Sequence, residues 1–145
     1  LKLRFNKIVL LLSIAVVAVI VSCKKSDTNP VPYVYTDVYI YTANPSFNSL
    51  NAVGGWAYVN GGVRGIIVYR RSNEEFVAFD RNCTFDPDKT CATLSVDKNN
   101  NILAADSCCG SKFNIYDGSV TRSPATRGLR QYNTYYNGSS LHITN

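Results

Sequence analysis

The chain of 145 residues has no methionine, one tryptophan, one histidine and five prolines, and charged residues make up only 17 % of it. Each scarcity excludes something. With so little charge and proline against 46 % hydrophobic residues, the chain is no disordered tail, collagen or coiled coil. Its lone histidine, His142, is far in sequence from every cysteine, so no imidazole stands ready to activate a thiolate. No two carboxylates have a spacing that suggests paired acid–base work, and the chain is expected not to be an enzyme. There are no internal repeats and no low-complexity tract. The missing methionine leaves Leu1 as a non-AUG start or the sequence short by a few residues. What is present is one domain's worth of chain, rich in aromatics and carrying nine glycines. That composition leans toward β structure with tight turns.

The net charge of +5 is concentrated at one end. Lys2, Arg4 and Lys7 precede the apolar run Ile8 to Val21, in which Ser13 is the one polar residue. A run of this length falls short of the roughly 20 residues a spanning helix needs. A basic start, a short apolar stretch and the small Ser22 describe a secretory signal peptide over residues 1–22. Ile20-Val21-Ser22-Cys23 resembles the bacterial lipobox, which implies acylation of Cys23 and anchorage in the cell envelope, with the outer membrane as the expected location. Three acyl chains exceed the two signals that stable anchoring needs. Residues 23–32, with KKSDTNPVP after the cysteine, then form a lipidated, proline-punctuated tether. Beyond the signal peptide, 12 of the 15 basic residues face 10 acidic ones, a net charge of +2. That is too little for a nucleic-acid footprint, and the export signal points the same way.

Across residues 33–145 no stretch has a helical period, and strand signals recur every eight to twelve residues, the signature of an all-β domain. Tyr33 to Tyr41 alternates strictly, with Val34, Thr36, Val38 and Ile40 on one face and Tyr33, Tyr35, Asp37, Tyr39 and Tyr41 on the other. Further strands are expected over 56–59, 65–70, 76–79, 93–96, 102–105, 112–115, 129–136 and 141–144. Asn60-Gly61-Gly62, Tyr116-Asp117-Gly118 and Asn137-Gly138 supply turns. About nine short antiparallel strands fit one sandwich or barrel.

Four cysteines remain beyond Cys23, namely Cys83, Cys91, Cys108 and Cys109, in two loops between expected strands. An even number in an exported domain points to disulfides, with three connectivities open.

Cys109-Gly110-Ser111-Lys112-Phe113, followed by Gly118, Pro124-Ala125, Leu129 and Tyr132, resembles the second half of the Rieske iron–sulfur domain, which reads C-P-C-H-G-S-x-F, then Gly, G-P-A and Leu-x-x-Tyr. Gly65 to Arg70 and Phe76 to Phe79, leading to Cys83-Thr84, are similar to the two strands that feed that family's first cluster loop. The resemblance spans about residues 56–144 and implies a Rieske-like antiparallel sandwich or barrel. A Rieske cluster sits on two cysteines and two histidines. Here the four ligand positions hold Cys83, Phe85, Asp106 and Cys109. A phenyl ring has no lone pair for iron, so the resemblance carries over one ligand unchanged and one more as a different ligand type. The family's stapling disulfide falls on Cys91 and Cys108, and a second bridge, Cys83 to Cys109, is expected across the former cluster site.

These readings lead to a membrane-anchored, exported module that has lost its cluster and holds no metal or cofactor. Its role is structural or interactive, its partners being the lipid membrane through Cys23 and an envelope protein. An alternative is a [2Fe–2S] electron-transfer protein using Cys83, Cys109 and a pair drawn from Cys91, Cys108 and Asp106. Another is a ligand-binding module that uses the tyrosine face of the first strand, although that face is expected to be covered by the rest of the domain. Asp86 and Asp88 are read as solvating charges, and His142 as a surface strand residue.

Overall fold

The structure, a computed structural model, describes residues 29–145, so the expected signal peptide, Cys23 and most of the expected tether lie outside the described residues. Ten strands are present: β1 (Asp37–Tyr41), β2 (Trp56–Val59), β3 (Ile66–Arg70), β4 (Phe76–Asp80), β5 (Leu94–Asp97), β6 (Asn100–Asp106), β7 (Lys112–Asn114), β8 (Val120–Arg122), β9 (Gln131–Tyr136) and β10 (Ser140–Thr144). They form two antiparallel sheets, one of six strands in the order β1-β10-β9-β4-β3-β2 and one of four in the order β5-β6-β7-β8. The all-β expectation holds. The extra strand is β8, three residues with two exposed side chains and too little alternation to signal itself. The loop through Pro45 contains a 3₁₀ segment, Pro45–Asn51, whose Leu50 is buried. No helix among the described residues is long and apolar enough to cross a membrane.

The central strands explain why two cores exist. Ile66-Ile67-Val68-Tyr69 and the whole of Phe76–Asp80 are buried, continuous runs of the kind that strands covered on both faces display. Ile66, Val68, Phe76 and Ala78 pack with Ile40, Leu141 and Ile143 in one core of the six-stranded sheet. Ile67, Tyr69, Val77 and Phe79 join Leu94, Phe113 and Ile115 in the other, which welds the four-stranded sheet to the six-stranded one. That second core carries the two cysteine loops at its rim.

The base of β4 is locked by a buried carboxylate. Asp80 Oδ2 accepts from the Val63 N–H and the Tyr132 hydroxyl, both at 2.7 Å, and Oδ1 from the N–H groups of Asn82 (2.8 Å) and Arg64 (3.4 Å). Burial, then the bond to Asp80, pushes the Tyr132 hydroxyl well above the ordinary tyrosine range. Gly62 is required here, because at φ +60° a Cβ would stand 2.3 Å from Asp80 Oδ2 and 2.4 Å from the Tyr132 hydroxyl. From the same turn Arg64 reaches across to accepting oxygens of Asn82, Lys89 and Thr90, which ties the turn to the first cysteine loop.

Two expectations about the amino-terminal part need revision. The expected first strand is paired only over β1, and its tyrosine face is not covered among the described residues: Tyr33 and Tyr35 before β1, Tyr39 and Tyr41 in it, and Tyr135 of β9 are 58–75 % exposed. They lie on the β1-β10-β9 end of the large sheet, where Tyr39 stacks on His142 at 4.0 Å and His142 Nε2 lies 2.7 Å from Asp37 Oδ1. The end of the tether also differs from a free linker. Val31 is fully buried, its carbonyl accepts from the Arg130 guanidinium at 2.9 and 2.6 Å, and Asn29 donates to the Gly128 carbonyl. Residues 33–36 continue toward β1 with Asn145 as a side-chain partner, accepting from the Thr36 N–H and donating to the Val34 carbonyl.

Candidate functional site

The site is built by the loop after β4 and the loop after β6. An isolated bridge between Asn82 and Thr93, together with the Cys83 N–H donating to the Ala92 carbonyl at 3.0 Å, folds the first loop back on itself. In the second, Asp106 ends β6, and its carboxylate accepts from the Cys108 N–H at 2.8 Å while its carbonyl accepts from the Gly110 N–H at 2.8 Å. This turn faces Cys109 inward. Ser111 is buried behind it, accepts from the Ala125 N–H at 2.9 Å and fixes the distance between the second loop and the segment after β8.

Cys91 and Cys108 form a disulfide with Cα atoms 5.5 Å apart, the pairing that the resemblance implied. Both cysteines are exposed, so the bridge closes the outer rim of the two loops. The second expected bridge is not formed. Cys83 and Cys109 carry free thiols with Sγ atoms 3.7 Å apart, a contact distance, whereas a disulfide bond measures about 2.05 Å. Each thiol has other company. The Phe85 N–H donates to Cys83 Sγ, and Cys109 donates to Asp106 Oδ2 at 3.1 Å while lying 3.0 Å from Ser111 Oγ.

The four positions to which the resemblance assigns cluster ligands therefore separate. Cys83, Asp106 and Cys109 converge, with one ligand atom each and all three atoms within 4.8 Å of one another. Phe85 does not join them, and packs as a half-buried hydrophobe against the core of the smaller sheet. Asp86 pairs with Lys89 at 2.7 Å on the loop surface. Burial, with smaller contributions from Asp106 and Cys109 and against the pull of the Phe85 N–H, pushes the Cys83 thiol up to about 12. It is therefore a neutral thiol at neutral pH. Ser111 and Arg64 are site constituents that sequence reasoning did not single out. Ser111 was visible as part of the Gly110-Ser111 pair, whereas nothing local marks Arg64 as a clamp on a loop 25 residues away.

No family model and no curated protein matches the sequence. Solved structures do. The plasma membrane Rieske protein PetC3 of the cyanobacterium Synechocystis PCC 6803 superposes with a TM-score of 0.56 at 23 % identity, over 74 % of this chain and 99 % of that one. A chain from the complex of reduced oxygenase and oxidized ferredoxin in carbazole 1,9a-dioxygenase gives 0.50 at 20 % identity, over 74 % of this chain and 92 % of that one. The fold is Rieske-like.

Proposed function

We propose that this chain is an exported, lipid-anchored Rieske-like module that holds no iron–sulfur cluster and serves a structural or interaction role in the cell envelope. The donor set carries the reading. A [2Fe–2S] cluster takes four protein ligands, two on each iron. Among the described residues three His, Cys, Asp or Glu ligand atoms converge, all within 4.8 Å of one another, Phe85 offers no lone pair, and Cys108 is committed to the rim disulfide. Recruiting another sulfur would mean opening that disulfide, and the residues present do not match the two-cysteine, two-histidine donor set of a Rieske cluster. The interaction role falls to the exposed tyrosine face of β1, β9 and β10. Tyrosine offers large, stiff contact area with a polar tip, a chemistry suited to a protein partner in the envelope.

The deciding experiment is an absorption spectrum with iron and sulfide analysis on the full chain, purified anaerobically in detergent. A colourless protein without stoichiometric iron is expected; visible absorption with two irons and two sulfides per chain overturns the reading. For the anchor, Cys23→Ala is expected to release the protein from the membrane fraction or leave it unprocessed. Identical fractionation of both forms, without uptake of labelled palmitate, would remove the lipid from the proposal.

A further inference from the structure

From the convergence of Cys83, Asp106 and Cys109 we infer a mononuclear site for a thiophilic divalent cation, Zn²⁺, at the rim of the smaller sheet. The inference rests on the absence of an iron–sulfur cluster and goes beyond it, because an emptied site would not need to keep two thiols and a carboxylate aimed at one point.

Geometry comes first. Zinc binds thiolate sulfur at about 2.3 Å, and two such bonds at a tetrahedral angle set their sulfurs about 3.8 Å apart. The two thiols here stand 3.7 Å apart. A zinc–carboxylate bond of about 2.1 Å beside a zinc–sulfur bond of about 2.3 Å gives a sulfur–oxygen edge near 3.6 Å. The edge from Cys109 Sγ to Asp106 Oδ2 measures 3.1 Å because the thiol donates its proton across it. Removing that proton abolishes the bond and leaves two anionic atoms that separate toward the metal edge.

The surroundings fit as well. Asp106 is 1 % exposed, and a carboxylate this deep is stable when it is hydrogen-bonded, paired or bound to a metal. Its other oxygen is fixed by the Cys108 N–H, so Oδ2 is oriented toward the sulfurs. Cys109 is half-buried while Cys83 is fully buried, so the fourth coordination position opens on the Cys109 side, where water enters. Three protein ligands plus a water is a known zinc arrangement, and the sulfurs favour zinc over the oxygen-seeking cations Mg²⁺ and Ca²⁺. Once the two thiols have released their protons the ligands sum to −3, which Zn²⁺ lowers to −1, and the ammonium of Lys89, paired first with Asp86, also interacts with Cys109 and Asp106. Binding forms two Zn–S bonds and one Zn–O bond. Two S–H bonds break, and two protons pass to water; no electron changes hands.

The test uses the full chain in detergent, stripped with a chelator and titrated with Co²⁺ as a spectroscopic substitute. One equivalent is expected to produce thiolate-to-cobalt charge transfer in the near ultraviolet and intense tetrahedral bands in the visible. Zn²⁺ is expected to bleach both. In the same samples, Zn²⁺ should protect two thiols of the wild-type chain from alkylation, a readout that needs no variant to fold. Cys109→Ser, at the half-buried position, is expected to abolish the cobalt signature, and Asp106→Asn to lower zinc affinity at least tenfold with an unchanged circular dichroism spectrum. A colourless protein that gives no tetrahedral cobalt bands, or that emerges from its native compartment with Cys83 and Cys109 already oxidised to a disulfide, overturns the zinc site and leaves the cluster-free reading intact. Iron, sulfide and visible absorption in the untreated protein overturn both.

Discussion

Asp80 and Asp106 each end a strand, and each is buried, at 0 and 1 % exposure, yet they are built for opposite ends. Asp80 is met by four donors from three separate segments, three backbone N–H groups and a tyrosine hydroxyl. Every one of those contacts is fixed by the fold, and none of the partners is a ligand atom. Asp106 is met by a single backbone N–H on one oxygen, while its other oxygen faces sulfur. A carboxylate saturated with N–H and O–H donors is a knot. One whose free lone pairs converge with two thiols is a reagent waiting for a cation. Burial alone does not separate the two, and the identity of the neighbouring atoms does.

Removing each group is the most direct way to break the contrast. Asp80→Ala leaves four donors buried without an acceptor and is expected to cost about 4 kcal/mol in urea unfolding, the largest effect of any change considered. Cys91→Ser comes next, at about 3 kcal/mol from the released loop-closure entropy of a bridge spanning 17 residues. It should also leave Cys108 as a new alkylatable thiol, identifiable by fragmentation mass spectrometry. Cys108 remaining unlabelled in that variant would show that Cys91 is not its partner.

The contrast sharpens at Asp106. Asp106→Asn keeps an oxygen for the Cys108 N–H and is expected to cost about 1 kcal/mol or less in the metal-free protein. If it destabilised the chain as much as Asp80→Ala, Asp106 would be a second knot. Titration reads the same pocket from the sulfur side. The Cys83 thiol is held protonated by burial, from an ordinary 9.0 up to about 12, so the folded chain binds a proton that the unfolded chain has released. Its contribution to stability is fully present below pH 9 and is lost as pH rises toward 12. The decline in melting temperature over that window is expected to be shallower in Cys83→Ser, and an equal slope in both proteins would rule out this origin. The smallest effect belongs to the open tyrosine face, where Tyr35→Ser and Tyr135→Ser should each change stability by no more than about 0.5 kcal/mol. A larger loss would mean that the face is packed rather than available.

Much of this architecture was legible residue by residue. Strands were expected over 65–70 and 76–79, where the structure has Ile66–Arg70 and Phe76–Asp80, because Ile66 to Tyr69 and Phe76 to Phe79 are unbroken apolar runs. The resemblance put Cys83, Asp106 and Cys109 at one site, and the structure brings these three together. What escaped depends on contacts between distant segments. Tyr132 reaches Asp80 across 52 positions and Arg130 reaches Val31 across 99, and neither partner carries a local sign of the other. The exposure of the tyrosine strand belongs to the same class, since alternation divides its residues between two faces without saying what lies over either. The state of the inner sulfur pair was out of reach for another reason. Residue order places two cysteines at one site, but whether they bond depends on sub-ångström placement and on the hydroxyl, carboxylate and amide that compete for the sulfurs.

The docking of Asn29 and Val31 onto the domain sets a leash. If the chain is held by lipid at Cys23, the distance from there to Asn29, the first residue seen docked, can be at most about 20 Å. The domain then patrols a shell little deeper than the headgroup layer and its own radius. Its orientation is biased as well, because the leash leaves from beside Arg130 and Gly128, at the entry to β9. On that anchorage, a partner for the tyrosine face would have to come to the membrane surface.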